Sequence, residues 1–121
     1  MYFLLFFRED EKKLDKNRLI EMLKSIKNVY DIRNNDDEVS ADYRYEEDST
    51  SFNFSKKYLT SFSIEGLGKA SVRFTLELKE QLKKYEPGVK YKVSDTDGAF
   101  LCDLDEINSS EDIYKLQQDT P

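Results

Sequence analysis

Hydrophobic and polar positions change period several times along this chain, and those changes outline its elements. Residues 2–8 are an apolar run, Tyr2 to Phe7, closed by Arg8. An unbroken run of this length predicts a strand covered on both faces and therefore central in a sheet. Leu19, Leu23, Ile26 and Tyr30 then step by three and four, which predicts a helix over 16–30 with one apolar face. Asp15 stands where an N-cap is needed, and Leu14 with Leu19 has the spacing of a hydrophobic staple. After the polar segment 34–38 the period drops to two. Val39, Ala41, Tyr43 and Tyr45 alternate with Ser40, Asp42, Arg44 and Glu46, a strand with one wet face. Phe52 and Phe54 alternate with serine and asparagine, and Tyr58, Thr60, Phe62 and Ile64 alternate again. Residues 50–65 are thus two strands or one long strand with a bulge.

Gly66-Leu67-Gly68 opens a second helix over 69–85. Phe74, Leu78, Leu82 and Tyr85 line its inner face, and Pro87-Gly88 stops it. Val89, Tyr91 and Val93 predict a further strand. The turn Asp95-Thr96-Asp97-Gly98 folds residues 99–104 back as a hairpin. Ser109 or Ser110 caps a last helix over 111–118, and 119–121 is expected to fray. The order β-α-β-β-(β)-α-β-β-α predicts one α+β domain over 1–121. Its expected form is a ferredoxin-like βαββαβ-type sandwich with an antiparallel or mixed sheet and two main helices on one face. An extra C-terminal hairpin and short helix complete it.

Composition changes this picture in three ways. At 121 residues the chain has the length of one domain that can bury a core without disulfides or metal. It has no His and one Cys, Cys102, so Ser-His and Cys-His catalytic pairs and the common zinc sites are excluded. Neighbouring acids and burial are expected to leave Cys102 inert. No enzyme chemistry and no cofactor is expected. The apolar start is too short to span a bilayer and lacks a basic flank and cleavage site. The expectation is a cytoplasmic protein without a membrane partner.

Charge is the third. The net charge is −6, unsuited to non-specific binding of nucleic acid, which needs Lys and Arg to neutralise phosphates. The acids fall in two blocks. Residues 34–50 hold Asp36, Asp37, Glu38, Asp42, Glu46, Glu47 and Asp48 against Arg44 alone, and residues 93–121 hold eight acids against Lys115 alone. Residues 51–92 lean the other way, with nine Lys or Arg against four Glu. Asp95, Asp97, Asp103 and Asp105 do not fit the spacing of a calcium-binding EF-hand loop. The Gly66–Ser71 turn fits neither the P-loop nor the dinucleotide pattern, although a helix N-terminus there could hold an anion. Aromatics along the strands could stack on RNA bases if exposed, but acidic residues lie among them and core packing is the simpler reading.

Ser61-Phe-Ser-Ile-Glu-Gly-Leu-Gly-Lys-Ala-Ser, then Phe-Thr-Leu-Glu-Leu, Lys-Val-Ser-Asp-Thr-Asp and Phe-Leu-Cys-Asp-Leu104 resemble the small immunity proteins of bacterial contact-dependent inhibition and polymorphic toxin systems. The resemblance covers about a third of the chain. It implies a cytoplasmic protein that binds and neutralises a cognate toxin domain, often a nuclease. The residues agree in kind, because an acidic surface meets a basic nuclease domain favourably. The expected contacts are Asp36, Asp37, Glu38, Glu46, Glu47, Asp48, Asp95, Asp97, Asp103 and Asp105. Two other readings stand beside it. One is a regulatory module that holds a small anionic molecule at the Gly66–Ser71 turn; the other is an acidic mimic of nucleic acid. Strand 39–46, if exposed, could pair with its own copy, so the state is a monomer or a homodimer.

Overall fold

The computed structural model describes residues 3–119 apart from Tyr58, Leu67 and Gly98, with side chains up to Lys115. Expectations attached to Tyr2, Tyr58, Leu67, Gly98 and the end at Thr120–Pro121 lie outside the described residues. The strands are β1 (Phe3–Arg8), β2 (Val29–Asn34), β3 (Glu38–Tyr45), β4 (Asp48–Ser55), β5 (Ser61–Glu65), β6 (Tyr91–Ser94) and β7 (Phe100–Asp103). The helices are α1 (Lys16–Ser25), α2 (Lys69–Tyr85) and α3 (Ser110–Asp119), with a 3₁₀ turn at Leu104–Glu106 before the last. The strands form one sheet in the order β2-β3-β4-β5-β1-β6-β7, and every pairing is antiparallel. The fold is α+β, and its sheet is larger than a βαββαβ unit requires.

α1 and α2 pack on each other and on the same face of the sheet. α2 has the predicted bounds, and Phe74, Leu78 and Leu82 are buried along it. Asp15 caps α1 by accepting from Asn17 and Arg18 N–H. α1 is five residues shorter than the period suggested. Ile26 is extended and its N–H closes on Leu23 C=O, so it reaches the core from outside the helix. Val29, Tyr30 and Ile32 then form β2, as β-branched and aromatic residues favour. Tyr30 shares the helical spacing by coincidence and is 48% exposed.

Of the two alternatives left open for residues 50–65, the structure has two strands, β4 and β5, paired antiparallel. Two more expectations are corrected. Strand 39–46 is not an edge: β3 lies between β2 and β4, so it has no free side for a second copy. β1 is central, as expected, but only one of its faces is sealed. Leu4 and Phe6 are buried under the helices, whereas Phe3, Leu5 and Phe7 are half-buried on the opposite face.

The core is aromatic. Tyr43 and Phe74 stack with centroids 4.6 Å apart and planes 1° apart. Phe52 sits 6.4 Å from Phe74 and 5.2 Å from Phe62, and Phe62 stacks on Phe6 at 5.1 Å. A row of rings thus ties β3, β4, β5 and β1 to α2. It also takes four of the strand aromatics, Tyr43, Phe52, Phe54 and Phe62, out of any platform for RNA, because all four are buried. Cys102 is buried as expected, and burial first, then Glu106, Asp103 and Asp112, push its thiol up to about 11. At pH 8 a maleimide should label the native protein far more slowly than the urea-unfolded chain; equal rates would place the thiol outside the core.

Candidate partner-binding surface

Strand register decides which acids share a surface. Phe3 of β1 lies opposite Glu65 of β5, and Leu5 opposite Ser94 of β6. Phe52 of β4 lies opposite Ile64, and Tyr45 of β3 opposite Asp48. The β3–β4 turn with Glu46 and Glu47, the end of β5 with Glu65, and the β6–β7 turn with Asp95 and Asp97 therefore lie at one end of the sheet. Four strand spacings, roughly 19 Å, separate the two turns. Asp36, Asp37 and Glu38 lie at the other end, roughly 23 Å away along β3. The acidic block 34–50 is continuous in sequence and divided in space.

The ten expected contacts divide again by what their carboxylates already do. Glu46, Glu47, Asp36, Asp37, Asp97 and Asp105 are exposed. The only ion pair recorded for this group among the described residues is Lys69 to Glu46 at 3.9 Å. Glu38 is half-buried and accepts from Asn53 Nδ2 at 2.6 Å. Asp103 is half-buried on β7 opposite Lys92. Asp95 is buried, and its Oδ1 accepts from Asp97 N–H at 3.0 Å and Ala99 N–H at 2.9 Å. It builds its own turn rather than facing outward.

Asp48 is the clearest departure. Its Oδ2 accepts from Ala70 N–H at 3.0 Å, inside the first turn of α2, whose N-cap is Gly68. The carboxylate from the β3–β4 turn thus takes the place that the anion-binding reading gave to a ligand. A negative group there also suits the positive end of the helix dipole. The two glycines differ in role. Gly66 has φ +87°, as a tight turn needs, whereas Gly68 has φ −82°. Gly68 has no side chain because a Cβ would run into the Asp48 carboxylate. Thr50 Oγ1 and Ser71 Oγ both donate to Glu65 C=O, closing the corner from two sides. Gly68→Ala should lower the unfolding free energy by about 1–2 kcal/mol, the value of a lost cap. In Asp48→Ala the same glycine change should cost much less, and a urea double-mutant cycle measures the difference. Additive costs would show that the carboxylate and the glycine do not act together.

Glu65 was missed as a candidate, although its signal was in the chain: it continues the outward alternation of Ser61 and Ser63. Lys79 was missed as well, and nothing in the helical period marks it. It is 7% exposed, and its Nζ donates to Ile107 C=O at 2.5 Å, Asn108 Oδ1 at 2.9 Å and Asp105 C=O at 3.4 Å. Burial holds its pKa below the usual lysine value. At the opposite end of the sheet Arg8 pairs with Asp10 at 2.8 Å and Glu86 at 3.2 Å, and Tyr91 donates to Glu86 at 2.8 Å. The hydrogen bond from Arg8 brings Asp10 down to about 2.

Among the described residues no group of three or more His, Cys, Asp or Glu is placed to hold a metal ion, and no helix is long and apolar enough to cross a membrane. Comparison with protein families, with curated proteins and with solved structures found no match.

Proposed function

We propose that this chain is a binding protein of the immunity type, which neutralises a basic toxin domain through the acidic end of its sheet. The observation that carries the reading is the gathering of Glu46, Glu47, Glu65 and Asp97 at one end, all exposed, with Lys69 to Glu46 at 3.9 Å the one ion pair recorded for them among the described residues. Carboxylates already committed within a fold add little to a partner. Exposed carboxylates on a rigid sheet steer a basic surface and speed its encounter. Asp48 and Asp95 then act as supports that hold the two turns in place, and Asp36 and Asp37 form a second, separate patch. The ferredoxin-like reading belongs to the same proposal. β1, α1, β4, β5, α2 and β6 would be its βαββαβ unit, with β2, β3 and β7 as additions.

Affinity capture of the tagged chain from cells that produce it should retain a basic protein. That protein should arrest growth when expressed alone, and this chain should restore growth. Reversing Glu46, Glu47 and Asp97 together to Lys should slow association by about tenfold or more at low salt, with a smaller effect at high salt. Asp36→Lys with Asp37→Lys tests the other end in the same stopped-flow assay. Unchanged association rates in both sets would remove the acids from the function.

A further inference from the structure

The face of the sheet opposite the helices carries a recess of about 820 Å³, within the range of small-molecule sites. Its origin is legible in the strands. On this face β1 presents Phe3 and Leu5, while its neighbour β5 presents Ser61 and Ser63. Large apolar side chains beside small hydroxylated ones leave depth over an apolar floor. Lys13 with Lys57, Leu59 and Thr60 bound one end, where Leu14 N–H donates to Leu59 C=O at 2.8 Å. Leu59 extends the floor, and Lys13 lies at the rim.

The charge of this recess is opposite to that of the protein. The chain carries −6 overall. The charged residues lining the recess among the described residues are Lys13 and Lys57, with no carboxylate. Of the acids in segment 9–15, Asp10 pairs with Arg8 and Asp15 caps α1, while Glu9 and Glu11 are exposed and do not line the recess. Lys13 is exposed and enters no ion pair recorded among the described residues. An apolar floor with a cation at one end and no carboxylate among its described lining residues suits a ligand with an apolar body and one negative end.

We propose that this recess is a binding site for a small anionic amphiphile, its apolar body on Phe3, Leu5 and Leu59 and its carboxylate at Lys13. The recess meets the acidic end of the sheet at Phe3, opposite Glu65, and Lys13 lies away from that end; the proposal does not depend on the immunity reading. It also replaces the Gly66–Ser71 turn, where Asp48 already sits, as the place for an anionic small molecule.

Calorimetric titration of the full chain with dodecanoate and with dodecylammonium, both below their micellar concentrations, tests the proposal. Dodecanoate should bind saturably at one site, and the ammonium of the same chain length should bind about tenfold more weakly or not at all. Lys13→Glu should weaken dodecanoate by about tenfold, the scale of one charge-assisted contact. Leu5→Lys should weaken both ligands by blocking the floor. Neither side chain belongs to the core, so both variants should melt near the parent temperature; if Leu5→Lys does not, Leu5→Ser takes its place. Equal affinity for the two amphiphiles would mean apolar adsorption and overturn the assignment, as would no saturable binding. A dimer in light scattering that Leu5→Lys dissolves would overturn it too, because a second copy would then cover the recess.

Discussion

Truncating Phe74 to alanine is expected to lower the unfolding free energy by about 3–5 kcal/mol, a large part of the 5–15 kcal/mol typical of a domain. The reason is position. Phe74 is fully buried, stacks on Tyr43 at 4.6 Å and meets Phe52 at 6.4 Å. It is the point where α2 is keyed into β3 and β4. Removing the ring leaves a cavity that these rigid neighbours cannot collapse to fill, so the lost transfer energy and the cavity cost add. Tyr43, whose buried hydroxyl lies near Glu77, also loses the ring on which it stacks. Urea unfolding followed by circular dichroism measures the change. If the alanine variant does not fold, Phe74→Leu reports the same site at a smaller cost. Phe100→Ala is the control: Phe100 is 59% exposed, with a Lys92 ammonium 5.7 Å from its ring, so its loss should stay within about 0.5 kcal/mol. A Phe74→Ala cost as small as that of Phe100→Ala would mean that α2 is not anchored through this ring.

Replacing Lys79 by alanine should cost about 1–3 kcal/mol, and the loss should be local before it is global. The ammonium is held by two carbonyls and an amide oxygen of the 105–108 segment. That segment carries Ile107 and leads to Ile113, both 1% exposed. Without the ammonium those acceptors lose their donor, and the apolar anchors no longer have a fixed backbone to hang from. Amide hydrogen exchange should speed up first in residues 104–113, while β3, β4 and β5 keep their protection. Lys79→Met separates the two contributions, because it keeps the stem and removes the donor. Unchanged exchange in 104–113 for both variants would show that the segment is held by its isoleucines alone.

Period two and period 3.6 were enough to place β3 and α2 to within a residue, because each has one face in the core and one in water; β4 starts at Asp48, inside the segment 47–50 that reads as a turn, and β5 starts only at Ser61. The periods failed where a residue reaches the core without the backbone the period implies. Ile26 is buried from an extended cap, so its spacing prolonged α1 on paper and hid β2. They also failed at β1, where an apolar run reads the same whether its second face is sealed or bounds an open recess.

The candidate site was legible in composition and not in arrangement. The blocks of acid, the absence of His and the lone buried Cys102 follow from residue identity, and they set what chemistry is available. Which acids stand together was decided by strand order, since an eight-residue strand carries Asp37 and Glu46 to opposite ends of the sheet. Which acids are free was decided by tertiary hydrogen bonds. Asp48 and Glu47 are neighbours of equal charge in the chain, yet one caps α2 across the fold and the other faces solvent. A carboxylate's role depends on the donors within about 3 Å of it, and for Asp48 that donor belongs to a helix 22 positions further along the chain.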